Sequence, residues 1–87
     1  MKDHTTIHDF RVMKFDDKAN FVTYKTNYIM HRTLNECKVF LYYANGFFIE
    51  VYFSVIRQKV LFINAFEGVS GLEPHLENIS INEILTA

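Results

Sequence analysis

The chain has 87 residues, and nine Lys and Arg residues against ten Asp and Glu residues give a formal net charge of −1. This length allows one domain with a thin core, and the balanced charge excludes the basic surface of a nucleic-acid-binding protein. No apolar run approaches the roughly 18 residues of a membrane span, and residues 1–15 show no signal peptide. Together with the single cysteine, Cys37, which suits a reducing compartment, these features predict one cytoplasmic domain over residues 1–87.

The N-terminal residues 1–9 are polar and unpatterned, which predicts a flexible arm. His4 and His8 have a spacing that could hold a metal on a helix, but nothing predicts a helix there. Because structural metal sites also need four ligands, we expect neither a metal site nor a cofactor.

The next segment predicts a helix over residues 18–26. Asp17 is a suitable N-cap residue, and Asn27 could end the helix in a left-handed conformation. The side chains of residues 22–28 also alternate as in a strand, so a strand is the alternative. Residues 18–34 are therefore expected to form one helix, a helix and a strand, or two strands.

The stretch 37–54 predicts the central β-hairpin. Two apolar runs flank Asn45-Gly46, and this pair accepts the positive φ angles of a type I′ turn. A two-residue loop would place Ala44 opposite Phe47 and thereby set the register of both strands.

Two outer strands are predicted from alternation and polar breaks, at residues 28–34 and 60–66. A turn at Asn35-Glu36 would connect the first of them to the hairpin. A short C-terminal helix is expected at about 72–77, where Ser70 and Glu73 have the capping-box spacing and Pro74 at the first helical position is the easier start. A second is expected at 81–86, where Ser80 and Glu83 form a capping box. The predicted fold is therefore α+β: an antiparallel meander of three or four strands with an N-terminal helix and short C-terminal helices.

The expected register makes both sheet faces apolar, although an antiparallel sheet with one wet face should alternate apolar and polar residues. One face is expected to contain Val39, Leu41, Tyr43, Phe48, Glu50 and Tyr52, with Met30, Arg32, Leu61 and Ile63. The other is expected to contain Phe40, Tyr42, Phe47, Ile49, Val51 and Phe53, with Phe62 and Phe66.

The second of these faces exceeds the apolar patch that a monomer usually exposes. The predicted helices are too short to cover both faces, so we expect a second copy of the chain to cover part of this one. The predicted dimer interface consists of Phe40, Tyr42, Phe47 and Phe53.

Glu50 is the one charged residue within an apolar strand core. It is interpreted either as a carboxylate paired with Arg32 or with a tyrosine hydroxyl such as that of Tyr43 or Tyr52, or as a ligand-binding or acid/base group. A lone carboxylate without a placed nucleophile favours structural pairing. His75, between two glutamates, is interpreted as a surface or core-edge residue.

The strings GFFIEVYF and VLFINAF, followed by LEPHLENISINEIL, resemble a group of short uncharacterised bacterial proteins. Those proteins share an aromatic-V/I-E-V-aromatic strand and an L-E-P-x-L-E-x-I ending, and the likeness spans about residues 28–85. The resemblance implies no activity.

The function that the sequence favours is a non-catalytic interaction module that self-associates through its aromatic sheet face. The alternative is a small apolar-ligand-binding protein in which the aromatic face lines a pocket and Glu50 anchors one polar group. Catalysis by Glu50 is a distant third hypothesis.

Overall fold

The computed structural model describes residues 4–75, without the side chains of residues 69 and 70. A four-stranded antiparallel sheet contains β1 (Asn27–Leu34), β2 (Cys37–Ala44), β3 (Phe47–Ser54) and β4 (Lys59–Phe66), in the order β1-β2-β3-β4. Two α-helices precede it, α1 (Ile7–Arg11) and α2 (Phe15–Lys25), and a 3-10 helix, η1 (Val69–His75), follows. The α+β class is thus confirmed.

The central hairpin has the predicted register, with Ala44 opposite Phe47 and Leu41 opposite Glu50. Asn45 and Gly46 connect the strands with φ angles of 50° and 88°, the positive values that a type I′ turn requires. The pairing of Leu34 with Cys37 across the first turn is also as predicted. Local turn chemistry was therefore sufficient to define three of the four strands.

The N-terminal helices differ from the prediction. Residues 7–9 belong to α1, which begins after the N-cap residue Thr6. The hydroxyl of Thr6 accepts a hydrogen bond from the backbone N–H of Asp9, and the backbone N–H of Thr6 donates one to the carboxylate of Asp9. Helix α2 begins after Lys14, so Asp17 lies in its first turn and is not the N-cap. There its charge favours the positive end of the helix dipole. Asn27 begins β1 and does not adopt a positive φ angle, because the chain is already extended at Thr26.

The predicted faces of β4 are wrong, because the strand contains an irregularity opposite Tyr52 and Phe53. Phe62 pairs with Tyr52, but Val60 pairs with Phe53, which leaves Leu61 as the extra residue. Such a bulge shifts the register by one and exchanges the two faces. Phe62 and Phe66 therefore share the face of Glu50, and Ile63 lies on the opposite face.

The two sheet faces are covered by different elements. On the helix-covered face, Phe47, Ile49 and Val51 pack with Phe10 of α1 and with Phe21 and Val22 of α2. On the Glu50 face, Leu41 and Phe48 pack with Leu72 of η1. The chain thus builds three layers, with the larger core under the α-helices.

The C-terminal predictions are met only in part. Residues 69–75 form a 3-10 helix that begins before the predicted start at Pro74, which lies inside it. Residues 76–77 and the predicted helix 81–86 lie outside the described residues. Within residues 4–75, no helix is long and apolar enough to cross a membrane.

Candidate functional site

Glu50 is the centre of a polar cluster that joins β3, β4 and η1. Its side chain accepts a hydrogen bond from Asn64 Nδ2 at 3.0 Å, and its second oxygen lies 2.9 Å from His75 Nε2. Because a carboxylate only accepts hydrogen bonds, Nε2 of His75 must bear the proton. Glu50 is 5% exposed and His75 is 1% exposed, so the pair is enclosed.

Of the predicted partners of Glu50, Tyr52 forms a hydrogen bond with it and Arg32 does not. Tyr52 donates to Glu50 at a long distance of 3.5 Å, and Arg32 acts only through its charge. His75, predicted at the surface or core edge, is instead the closest partner of Glu50. Asn64 was missed because the bulge in β4 reverses its predicted face, and no local pattern connects His75 to a strand 25 residues earlier.

Two pKa shifts follow from this arrangement. Burial alone would raise the pKa of Glu50, but the hydrogen bonds from His75 and Asn64, with the electrostatic effects of His75 and Arg32, lower it. Burial, and then the charge of Glu50, raise the pKa of Tyr52. Glu50 is therefore ionised at neutral pH, and Tyr52 remains protonated.

The enclosed position of the pair limits what it can do. Nδ1 of His75 is buried without a hydrogen-bond partner among the described residues, and neither side chain offers a surface that a substrate could reach. The hydrogen bond crosses from η1 to the middle of the sheet. We therefore interpret Glu50 and His75 as the polar clamp that holds η1 on the sheet.

A separate feature lies on the opposite face, between α2 and the sheet. It is a cavity of about 370 Å³. Its walls come from α2, β2, β3 and β4 and consist of Phe15, Ala19, Val22, Thr23, Tyr42, Val51, Lys59, Val60 and Ile63.

The sequence explains why space remains here. The wall residues of α2 are at positions i, i+4, i+7 and i+8 and so share one face of the helix. Ala19, in the middle of this face, is small and lines the cavity together with aliphatic side chains of β3 and β4. Phe21 points elsewhere, to Phe10 and Phe47, where large rings fill the interior.

The predicted interface residues separate in the structure. Phe47 is 1% exposed and packs against Phe10, so its assignment to a dimer interface is wrong. Tyr42 lines the cavity, whereas Phe40 and Phe53 are half-buried and do not. Glu50 faces away from the cavity, so it cannot anchor a ligand there as the alternative hypothesis required.

Comparisons with models of protein families, with curated proteins and with solved structures find no match.

Proposed function

We propose that this chain is a small, non-catalytic, cytoplasmic binding module that holds an apolar small molecule between α2 and the sheet. The observation on which the proposal rests is the cavity of about 370 Å³, since ligand sites in proteins range from roughly 300 to 1,000 Å³. The cytoplasmic location is supported by the single Cys37, which can form no disulfide within the chain.

The composition of the cavity wall favours an apolar ligand. Val22 and Val51 form its buried floor, at 7% and 9% exposed, and Phe15 is 50% exposed. A ligand would remove this ring and the aliphatic wall from water, at about 25 cal/mol per Å² of apolar surface. The few polar groups would orient the molecule, as in other small-molecule sites.

The test uses decan-1-ol, a neutral apolar probe, and the variant Ala19→Phe, which fills the middle of the cavity. We expect calorimetry to detect decanol binding to the unmodified chain and at least about tenfold weaker binding to the variant, because the added ring occupies the site. Methyl NMR shifts at Val22, Val51 and Ile63 should locate the probe.

Asn20→Phe is the matched control, because Asn20 is the next residue of α2 and is exposed. It should bind decanol as the unmodified chain does. If Ala19→Phe fails to fold, Ala19→Leu replaces it. The absence of decanol binding, or equal binding by the Ala19 and Asn20 variants, would refute the cavity as the ligand site.

A second candidate is self-association through β4, an edge strand of the sheet. Phe62 stacks on Tyr52 with ring centroids 4.1 Å apart and is still 51% exposed, and Leu61 beside it is 43% exposed. Edge strands present unpaired backbone groups, and two copies of β4 could pair about a two-fold axis because the same surface serves both. A homodimer is therefore proposed on this surface, in place of the one containing Phe47.

A further inference from the structure

The cavity has a marked charge asymmetry. Of the described residues that line it, Lys59 alone is charged, and no carboxylate accompanies it. An ammonium group beside an apolar site without an acidic neighbour attracts an anion.

Lys59 forms no ion pair among the described residues. The one ion pair within 4.0 Å in that part of the chain joins Glu50 and His75. Its side chain is exposed at the start of β4, so the ammonium is hydrated and can move over the cavity opening. Lys18 on α2 is engaged elsewhere, with its ammonium 5.7 Å from the centre of the Phe10 ring.

The polar groups of the wall are well separated along the sheet. Tyr42 is aligned, through Ile49, with Ala65 near the end of β4, whereas Lys59 is its first residue. Their β3 partners, Ile49 and Ser54, are five residues apart, so at about 3.3 Å per residue these levels are separated by roughly 17 Å. The hydroxyl of Thr23 already donates to the carbonyl of Ala19 at 2.8 Å. An apolar site with its one cation at one end of the wall therefore fits a linear molecule with one charged head.

We propose that the ligand is a linear amphiphile with a single anionic head, such as a medium-chain monocarboxylate, and that Lys59 binds the head. The tail would lie over Val60, Val51 and Ile63 and extend towards Tyr42. This inference depends on the proposed function, because it assigns the ligand class of the same cavity.

The experiment compares decanoate, decan-1-ol and decyltrimethylammonium by calorimetry on the full chain at low salt. These probes have the same tail length and differ in the head group. We expect decanoate to bind about two- to fivefold more tightly than decanol, the range for an exposed ion pair, and the cationic probe to bind more weakly than decanol. Raising the salt to 1 M should remove the advantage of decanoate.

Lys59→Gln should remove the preference for decanoate over decanol by weakening the binding of decanoate. Lys38→Gln is the matched control, since Lys38 is also an exposed strand lysine but does not line the cavity; it should keep the preference. If the unmodified chain binds decanol and decanoate equally, or if both lysine variants keep the same preference for decanoate, the role of Lys59 is overturned. The cavity proposal would remain intact. If no probe binds, the proposed function itself fails.

Discussion

At the scale of single residues, Glu50 shows how a buried charge is tolerated in an apolar strand. Removing a carboxylate from water is costly unless hydrogen bonds replace the lost hydration. Asn64 and His75 supply those hydrogen bonds, one to each oxygen. The cost of burial is thereby offset, and the same contacts secure η1 against the sheet.

Replacing Glu50 by Gln tests this account at neutral pH. We expect a loss of about 1–3 kcal/mol in the free energy of unfolding, because the partners lose charge-assisted hydrogen bonds. Urea unfolding followed by circular dichroism measures it. Glu67→Gln is the control, since Glu67 is exposed. This substitution should change the free energy of unfolding by less than about 0.5 kcal/mol. Equal effects of the two substitutions would contradict the buried pairing.

The lowered pKa of Glu50 also predicts a pH dependence. A carboxylate with a folded-state pKa below its ordinary value of 4.5 stabilises the folded chain at pH values above 4.5. That contribution is lost as the pH falls from about 4.5 through the lower folded-state pKa. The free energy of unfolding should thus fall more steeply between pH 7 and pH 2 for the unmodified chain than for Glu50→Gln. Parallel curves would exclude Glu50 as a source of acid sensitivity.

At the scale of elements, the central hairpin was predictable because its determinants are local. Asn45 and Gly46 define the turn, and the turn defines the register of eight residues on each side. Strand β4 was predicted as a strand but with its faces reversed, because a bulge depends on packing across the sheet and leaves no local signal. The same limit applies to His75 and Ala19, whose roles require contacts between distant segments.

Two glycine substitutions separate backbone strain from crowding. Gly46→Ala has open space for the new methyl group, but the φ angle of 88° is strained for alanine; we expect a loss of about 1–2 kcal/mol. Gly71 lacks a positive φ angle, but a methyl group there would clash with the ring of Phe66. We expect Gly71→Ala to displace η1 and to increase hydrogen exchange mainly at residues 69–75. Exchange raised equally across the sheet would refute a local effect.

At the scale of the whole molecule, the helices cover the sheet unevenly. The three phenyl rings of Phe10, Phe21 and Phe47 fill one end of the helix-covered face. Towards the start of β4 the smaller side chains leave the cavity. The excess of apolar residues that the sequence revealed is therefore partly absorbed by α1 and α2. Among the described residues, two half-exposed phenylalanine side chains, Phe15 and Phe62, remain on different surfaces.

These two side chains allow ligand binding and self-association to be tested separately. If β4 is the dimer surface, sedimentation equilibrium at micromolar concentration should give twice the 10.3 kDa chain mass, and Phe62→Ser should restore the monomer mass. Phe15→Ser is matched in residue type and exposure, at 50% against 51%; it should preserve the dimer and weaken decanol binding, because Phe15 lines the cavity. A monomeric unmodified chain, or the same mass for both variants, would refute the β4 surface. Phe62 belongs only to the β4 surface and Phe15 only to the cavity. Phe62→Ser should therefore change the oligomeric mass alone, and Phe15→Ser should change decanol binding alone.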